Sequence, residues 1–158
     1  MFGISLSTLP RTAKWLITLA IVSFGMTHLF AAALVWQVTT QVDASAKEHF
    51  NFKSFAVLLR MGHQHAFGHG TMYFLTGAVF LFAGISEFWT LALITGTFVG
   101  AWLDLTSWFL LKYGSERWEL LSMVSGTAYA ASFAAMAVII LCRLWLPSFK
   151  DARPPGGA

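Results

Sequence analysis

Four stretches of this chain are too long and too apolar to sit in water. Residues 15–38 contain no lysine, arginine, aspartate or glutamate. Residues 55–83 contain only Arg60, residues 88–111 only Asp104, and residues 118–144 only Glu119 and Arg143, close to its ends. A run of about 20 apolar residues spans a bilayer as a helix. In hydrocarbon, backbone N–H and C=O groups must be satisfied within the segment, so each run folds as a helix. Charged residues make up 11% of the chain, whereas a soluble domain needs roughly 25%. The chain is an integral membrane protein.

The expected fold is therefore all-α: one domain over residues 1–158, an antiparallel up-and-down bundle of four transmembrane helices at about 12–38, 55–83, 88–111 and 118–144. Arg11 and Lys14 precede the first run in the manner of a signal sequence, but the run outlasts the 7–15 residues or so of a signal h-region, so it is a retained helix. Residues 39–53 form a polar loop with room for a short interfacial helix, and His49 falls in it. Pro147 ends the fourth helix and residues 147–158 form a flexible tail rich in proline and glycine. Four helices put both termini on one face. The terminal face carries Arg11, Lys14, Arg143, Lys150 and Arg153, and the other carries Lys47, Lys53, Lys112 and Arg117. The positive-inside rule then favours cytoplasmic termini in a bacterial inner membrane. Trp89, Trp118 and Trp145 sit at helix ends as interfacial anchors. The alanine-rich fourth helix suits close packing on more than one side.

A net charge of +3 without a basic cluster excludes nucleic acid as a partner. The single cysteine, Cys142, excludes an intrachain disulfide and a thiolate metal cluster. Neither a nucleophilic triad nor a paired-carboxylate site is legible.

The feature that asks for a function is histidine. Three of the five histidines, His63, His65 and His69, lie within seven residues of the second helix, and His28 lies near the middle of the first. Ionisable side chains inside a membrane segment point to a functional site. At about 1.5 Å rise per residue, His28, His65, His69 and Asp104 all fall in the half of the bilayer nearer the 39–53 loop. His65 and His69, four residues apart, share a helix face, and His63 points nearly opposite to His65. Gly62, Gly68 and Gly70 leave space beside them.

Three readings follow. The plainest is packing, with the histidines hydrogen-bonded across helices to Ser23, Thr27, Tyr73, Thr127 or Tyr129. The second is a b-type haem, which takes two axial imidazoles from facing helices: His28 on one side, His65 or His69 on the other, with Phe24, Phe30, Phe67, Trp102 and Trp108 walling the porphyrin. Here the stretch His63-x-His65-x-x-x-x-Gly70 resembles the haem-ligand motif in the second helix of haem–copper oxidase subunit I and of related small membrane haem proteins. That resemblance implies one haem with His65 the matching ligand. It implies no oxygen reduction, because the third and fourth helices carry no histidine for a copper site. The third reading is a bare copper, zinc or iron ion held by His63, His65, His69 and Asp104. Asp104 has two expected roles: an ion pair with Arg60, or a hydrogen bond that orients a ligand histidine. Function is accordingly expected as electron transfer within a respiratory or redox complex rather than stand-alone enzymatic catalysis. Other membrane or redox subunits and a quinone are its partners beside the lipid bilayer. A metal-handling protein and a non-catalytic structural subunit are the alternatives.

Overall fold

The computed structural model describes residues 5–38, 40 and 45–146. The expected tail and Pro147 lie outside them. Among the described residues, four long α-helices and one short one make up the bundle: α1 (Arg11–Gln37), α2 (Ala46–Asn51), α3 (Phe55–Phe80), α4 (Glu87–Tyr113) and α5 (Glu119–Trp145). Among the described residues, three segments are long and apolar enough to cross a membrane: Arg11–Gln37, Glu87–Tyr113 and Glu116–Trp145. α3 is about as long as these, but Arg60, His63, Gln64, His65 and His69 reduce its apolar character.

The helix ends follow local chemistry. Pro10 precedes α1, where a missing N–H costs nothing. Ser45 caps the interfacial helix α2 by accepting from the Glu48 N–H at 3.2 Å. Ser54 does the same for α3, accepting from the Val57 N–H at 3.2 Å. The second long helix ends at Phe80, short of the expected residue 83. Its last turn tightens, with Phe82 N–H donating to Val79 O and Ala83 N–H to Phe80 O. Gly84, at φ 67°, then reverses the chain in a conformation that suits glycine.

α4 and α5 form the closest pair in the bundle. Gly100 makes this possible: a Cβ there would lie 3.0 Å from both Tyr129 N and Tyr129 Cβ and 3.1 Å from Ser125 O. With Gly96 one turn earlier against Ser132, α4 presents the small-x-x-x-small face that lets membrane helices approach. α3 packs on both α4 and α5. The larger buried core lies toward the terminal end, around Tyr73, Phe80, Phe133, Met136, Ile140 and Leu144. A smaller one, Phe50, Leu58, Leu105, Trp108 and Leu111, lies under α2.

α1 joins this core by one half only. Ile17, Ile21 and Phe24 pack inward. Lys14 Nζ donates to Ser7 O at 2.8 Å and to Leu144 O at 3.1 Å, placing a cation on the C-terminal carbonyls of α5. Trp145 Nε1 donates to Thr18 Oγ1 at 2.9 Å. Beyond His28 every residue from 29 to 37 is exposed. The helices therefore run α1, α5, α4, α3 around the bundle, and the seam between α1 and the loop-side half of α3 stands open.

Candidate functional site

The histidines meet at the closed end of that seam. His28 is the last inward-facing residue of α1, one turn after Phe24. Its Nδ1–H donates to Phe24 O at 2.9 Å, which turns Nε2 toward α3, where the Tyr73 hydroxyl donates to it at 3.1 Å. This bond is a polar tie across the seam. His65 is held the same way, its Nδ1 2.9 Å from Met61 O. Fixing one ring nitrogen on a backbone carbonyl is the usual way a protein orients a metal-ligating imidazole.

His69 sits between them. Its ring centroid lies 6.3 Å from that of His28, with planes only 15° apart. It lies 5.6 Å from His65, edge-on. Tyr73 and Tyr129 flank it, each at 5.3 Å. Its Nδ1 is buried without a hydrogen-bond partner. A buried polar atom left unpaired costs about 1–3 kcal/mol, so this nitrogen stands where something else would use it. Phe133 backs the other histidine, stacked on His28 at 4.4 Å and 8°.

The His28–His69 spacing has a specific chemical meaning. Two imidazoles on opposite sides of one metal, with bonds of about 2.0 Å and ring centres about 1 Å behind each nitrogen, stand about 6 Å apart. The centroid separation is of that size, but the two rings are stacked nearly parallel, His28 Nε2 is taken by the Tyr73 hydroxyl, and the Tyr73 and Tyr129 rings stand beside the gap. A Cβ at Gly25, Gly62, Gly68 or Gly70 would meet nothing within 4 Å, and Gly70 lies beside the outward-turned Phe67 and Phe74.

Asp104 corrects one expectation. It does not pair with Arg60. Buried on α4, it accepts from Ser122 Oγ at 2.9 Å across to α5. Gly126 leaves space beside its carboxylate: a Cβ there would lie 3.8 Å from Oδ1. Trp108, one turn beyond Asp104 on α4, meets the His65 ring edge-on at 4.9 Å, so the carboxylate is a neighbour of the histidine group. Among the described residues no three of His, Cys, Asp and Glu come together as a metal-binding group. The expected set of His63, His65, His69 and Asp104 is not gathered, because His63 points outward from α3 and is exposed. His49 lies against Phe50 at 5.3 Å, away from the seam.

Of the expected porphyrin walls, Phe24 and Trp108 lie beside the histidines, whereas Phe30, Phe67 and Trp102 are turned outward, at 68%, 72% and 61% exposure. Residue spacing along a helix says which residues share a face but not which way that face points. The structure brings both of the expected tyrosine neighbours, Tyr73 and Tyr129, to the site. It adds Ser122 and Phe133, which the sequence reading does not include. The signal for them is the three-to-four-residue spacing of Ser122, Gly126, Tyr129 and Phe133, which share one face of α5.

A family model described as a transmembrane helical domain, Aq_1264_TM, matches residues 37–151. The match takes in α2 to α5, and with them His65, His69 and Asp104. Neither the curated proteins nor the solved structures contain a match.

Proposed function

The chain belongs to this family of transmembrane helical domains, and we propose that it is a membrane-embedded b-type haem protein whose iron is held between His28 and His69. The observation that carries the reading is that pair: near-parallel imidazoles from two helices, 6.3 Å apart, at the closed end of the seam. Haem supplies four ligands of its own and asks the protein for two, which is what the seam offers. A bare zinc or copper ion asks for three or four. His28 would exchange the Tyr73 hydroxyl for iron, and His69 would use a ring that is now under-bonded. Tyr73 and Tyr129, whose rings stand beside the gap between the two imidazoles, would have to turn aside for a flat ring entering between α1 and α3, with Phe133 behind His28. When bound, such a group exchanges single electrons. The protein orients its two imidazoles and keeps water from them.

This reading makes α3 the fourth membrane span. Of its histidines, His69 turns into the bundle, whereas His63 and His65 are exposed. Both termini then lie on one face, cytoplasmic by charge, in a bacterial inner membrane. The slender loops and small size suit a subunit of a respiratory or redox assembly.

The test is a reduced-minus-oxidised spectrum of purified protein with haem extraction. Wild type gives a Soret band and low-spin haem bands. His28→Ala and His69→Ala each lose bis-imidazole ligation, while His49→Ala and His63→Ala keep it. Low-spin bands surviving in His28→Ala would remove α1 from the site. Protein without a Soret band but with stoichiometric zinc, copper or iron would replace haem with a bare metal.

A further inference from the structure

α3 turns one face away from the rest of the bundle, and that face has a repeat. Arg60, Gln64, Phe67, Thr71 and Phe74 are all exposed. They follow one another at steps of four, three, four and three residues. That alternation is the stripe along which one helix packs on another. Phe67 and Phe74 project from it at 72% and 66% exposure. Between them lies a notch lined by Ala66, Gly70, Thr71 and Leu75. The same face therefore carries both a projecting ring and a recess beside it.

The depth of this face is what demands a partner. α3 runs alongside α4: Phe55 meets Phe109 and Tyr113 at 6.3 and 6.4 Å, and Gly77 faces Ile94 at the other end. α4 is long and apolar enough to cross a membrane, so α3 lies at bilayer depth beside it. At about 1.5 Å rise per residue, Gln64 and Thr71 each stand about 5 Å from the middle of α3. Hydrocarbon offers an exposed amide no hydrogen bond, and leaving it unmade is costly. The exposed residues of α1 differ: Leu29, Phe30 and Leu34 are apolar, and lipid alone satisfies them. The outward face of α3 needs a polypeptide.

We propose that this face pairs with the same face of a second copy of the chain, the two α3 helices lying parallel about a twofold axis along the membrane normal. A twofold contact uses the same patch on both copies, so it suits side chains that complement themselves. The Gln64 amide has an NH2 group to donate and a carbonyl to accept, and the Thr71 hydroxyl also does both. Phe67 and Phe74 pack against their counterparts and the neighbouring notches. Arg60 does not complement itself, but it stands about 11 Å from the middle of α3, where a long side chain reaches the loop-side aqueous face. His69 lies on the opposite side of α3, turned into the bundle, so the pairing is independent of what the histidines bind.

The experiment is oxidative cross-linking of the full chain in lipid vesicles and in native membranes, each variant carrying one cysteine in a Cys142→Ala background. Gln64→Cys, Phe67→Cys and Thr71→Cys should each give a disulfide-linked product of twice the chain's 17.4 kDa. Val99→Cys on α4 and Val138→Cys on α5, which are exposed as well, should give little. Gln64→Leu should lower the dimer fraction several-fold at a fixed protein-to-lipid ratio, because interhelical amide bonds hold membrane helices together; energy transfer between copies labelled at their termini reads this, and circular dichroism should show wild-type helix content. Monomer at all three α3 positions would overturn the pairing, as would equal cross-linking at the α4 and α5 controls. A product of another mass in native membranes would assign the face to a different subunit and overturn the second copy. A wild-type dimer fraction in Gln64→Leu would overturn the Gln64 contact. If one α3 cysteine variant does not fold, the other two decide.

Discussion

Replacing Gly100 with alanine probes the contact on which the bundle is built. The added methyl carbon would lie 3.0 Å from Tyr129 N and Cβ and 3.1 Å from Ser125 O. Two of these three atoms are backbone and cannot rotate away, so α4 and α5 must separate by a few tenths of an ångström to restore ordinary contact. Overpacking of this kind costs about 1–3 kcal/mol. Alanine returns roughly 0.5–1 kcal/mol through its higher helix propensity, leaving a net loss of up to about 2.5 kcal/mol. For a chain of this size each kcal/mol moves the melting midpoint by about 2–4 °C. Gly77→Ala is the matched control: it lies in the same bundle, but its Cβ would meet Ile94 at 3.7 Å, an ordinary contact. Gly96→Ala falls between the two, because its nearest obstacle is the Ser132 hydroxyl, which can turn aside. Thermal unfolding in detergent, followed by circular dichroism, should give Gly77→Ala at or above wild type, Gly96→Ala below it and Gly100→Ala lowest. Gly100→Ala melting as high as Gly77→Ala would refute the close α4–α5 contact.

Ser122→Ala removes a donor from the Asp104 carboxylate and should destabilise the protein by about 1–3 kcal/mol, read in the same melt. Ser122→Thr, which keeps a hydroxyl, should lose less; equal melting for wild type and Ser122→Ala would show that this bond contributes nothing. Reporter fusions at the two termini should report the same side of the membrane, the cytoplasm. Opposite locations would remove one span from the four.

Much of this molecule follows from local order in the sequence. Helix placement comes from runs of apolar residues whose backbone has no choice in hydrocarbon, and the observed ends differ from the expected ones by three residues at most, at Phe80. The common depth of His28 and His69 follows from helix rise, and it is what allows them to meet across two helices. Depth along a helix is a one-dimensional quantity, which sequence carries.

Rotation and neighbourhood are not one-dimensional, and tertiary packing decides them. Whether Asp104 meets Arg60 or Ser122 depends on how α4 turns toward α5, and Gly100 sets that turn by letting the two backbones close. Whether Phe30 and Phe67 line a site or face outward depends on where α1 lies, and α1 is pinned by Lys14, Thr18 and Ile21 at one end only. The open seam is a property of which helices are adjacent, and four similar apolar runs do not encode their own order. His28 and His69 come together because α5 holds α1 on one side and α3 on the other, an arrangement that exists only once all four helices are packed.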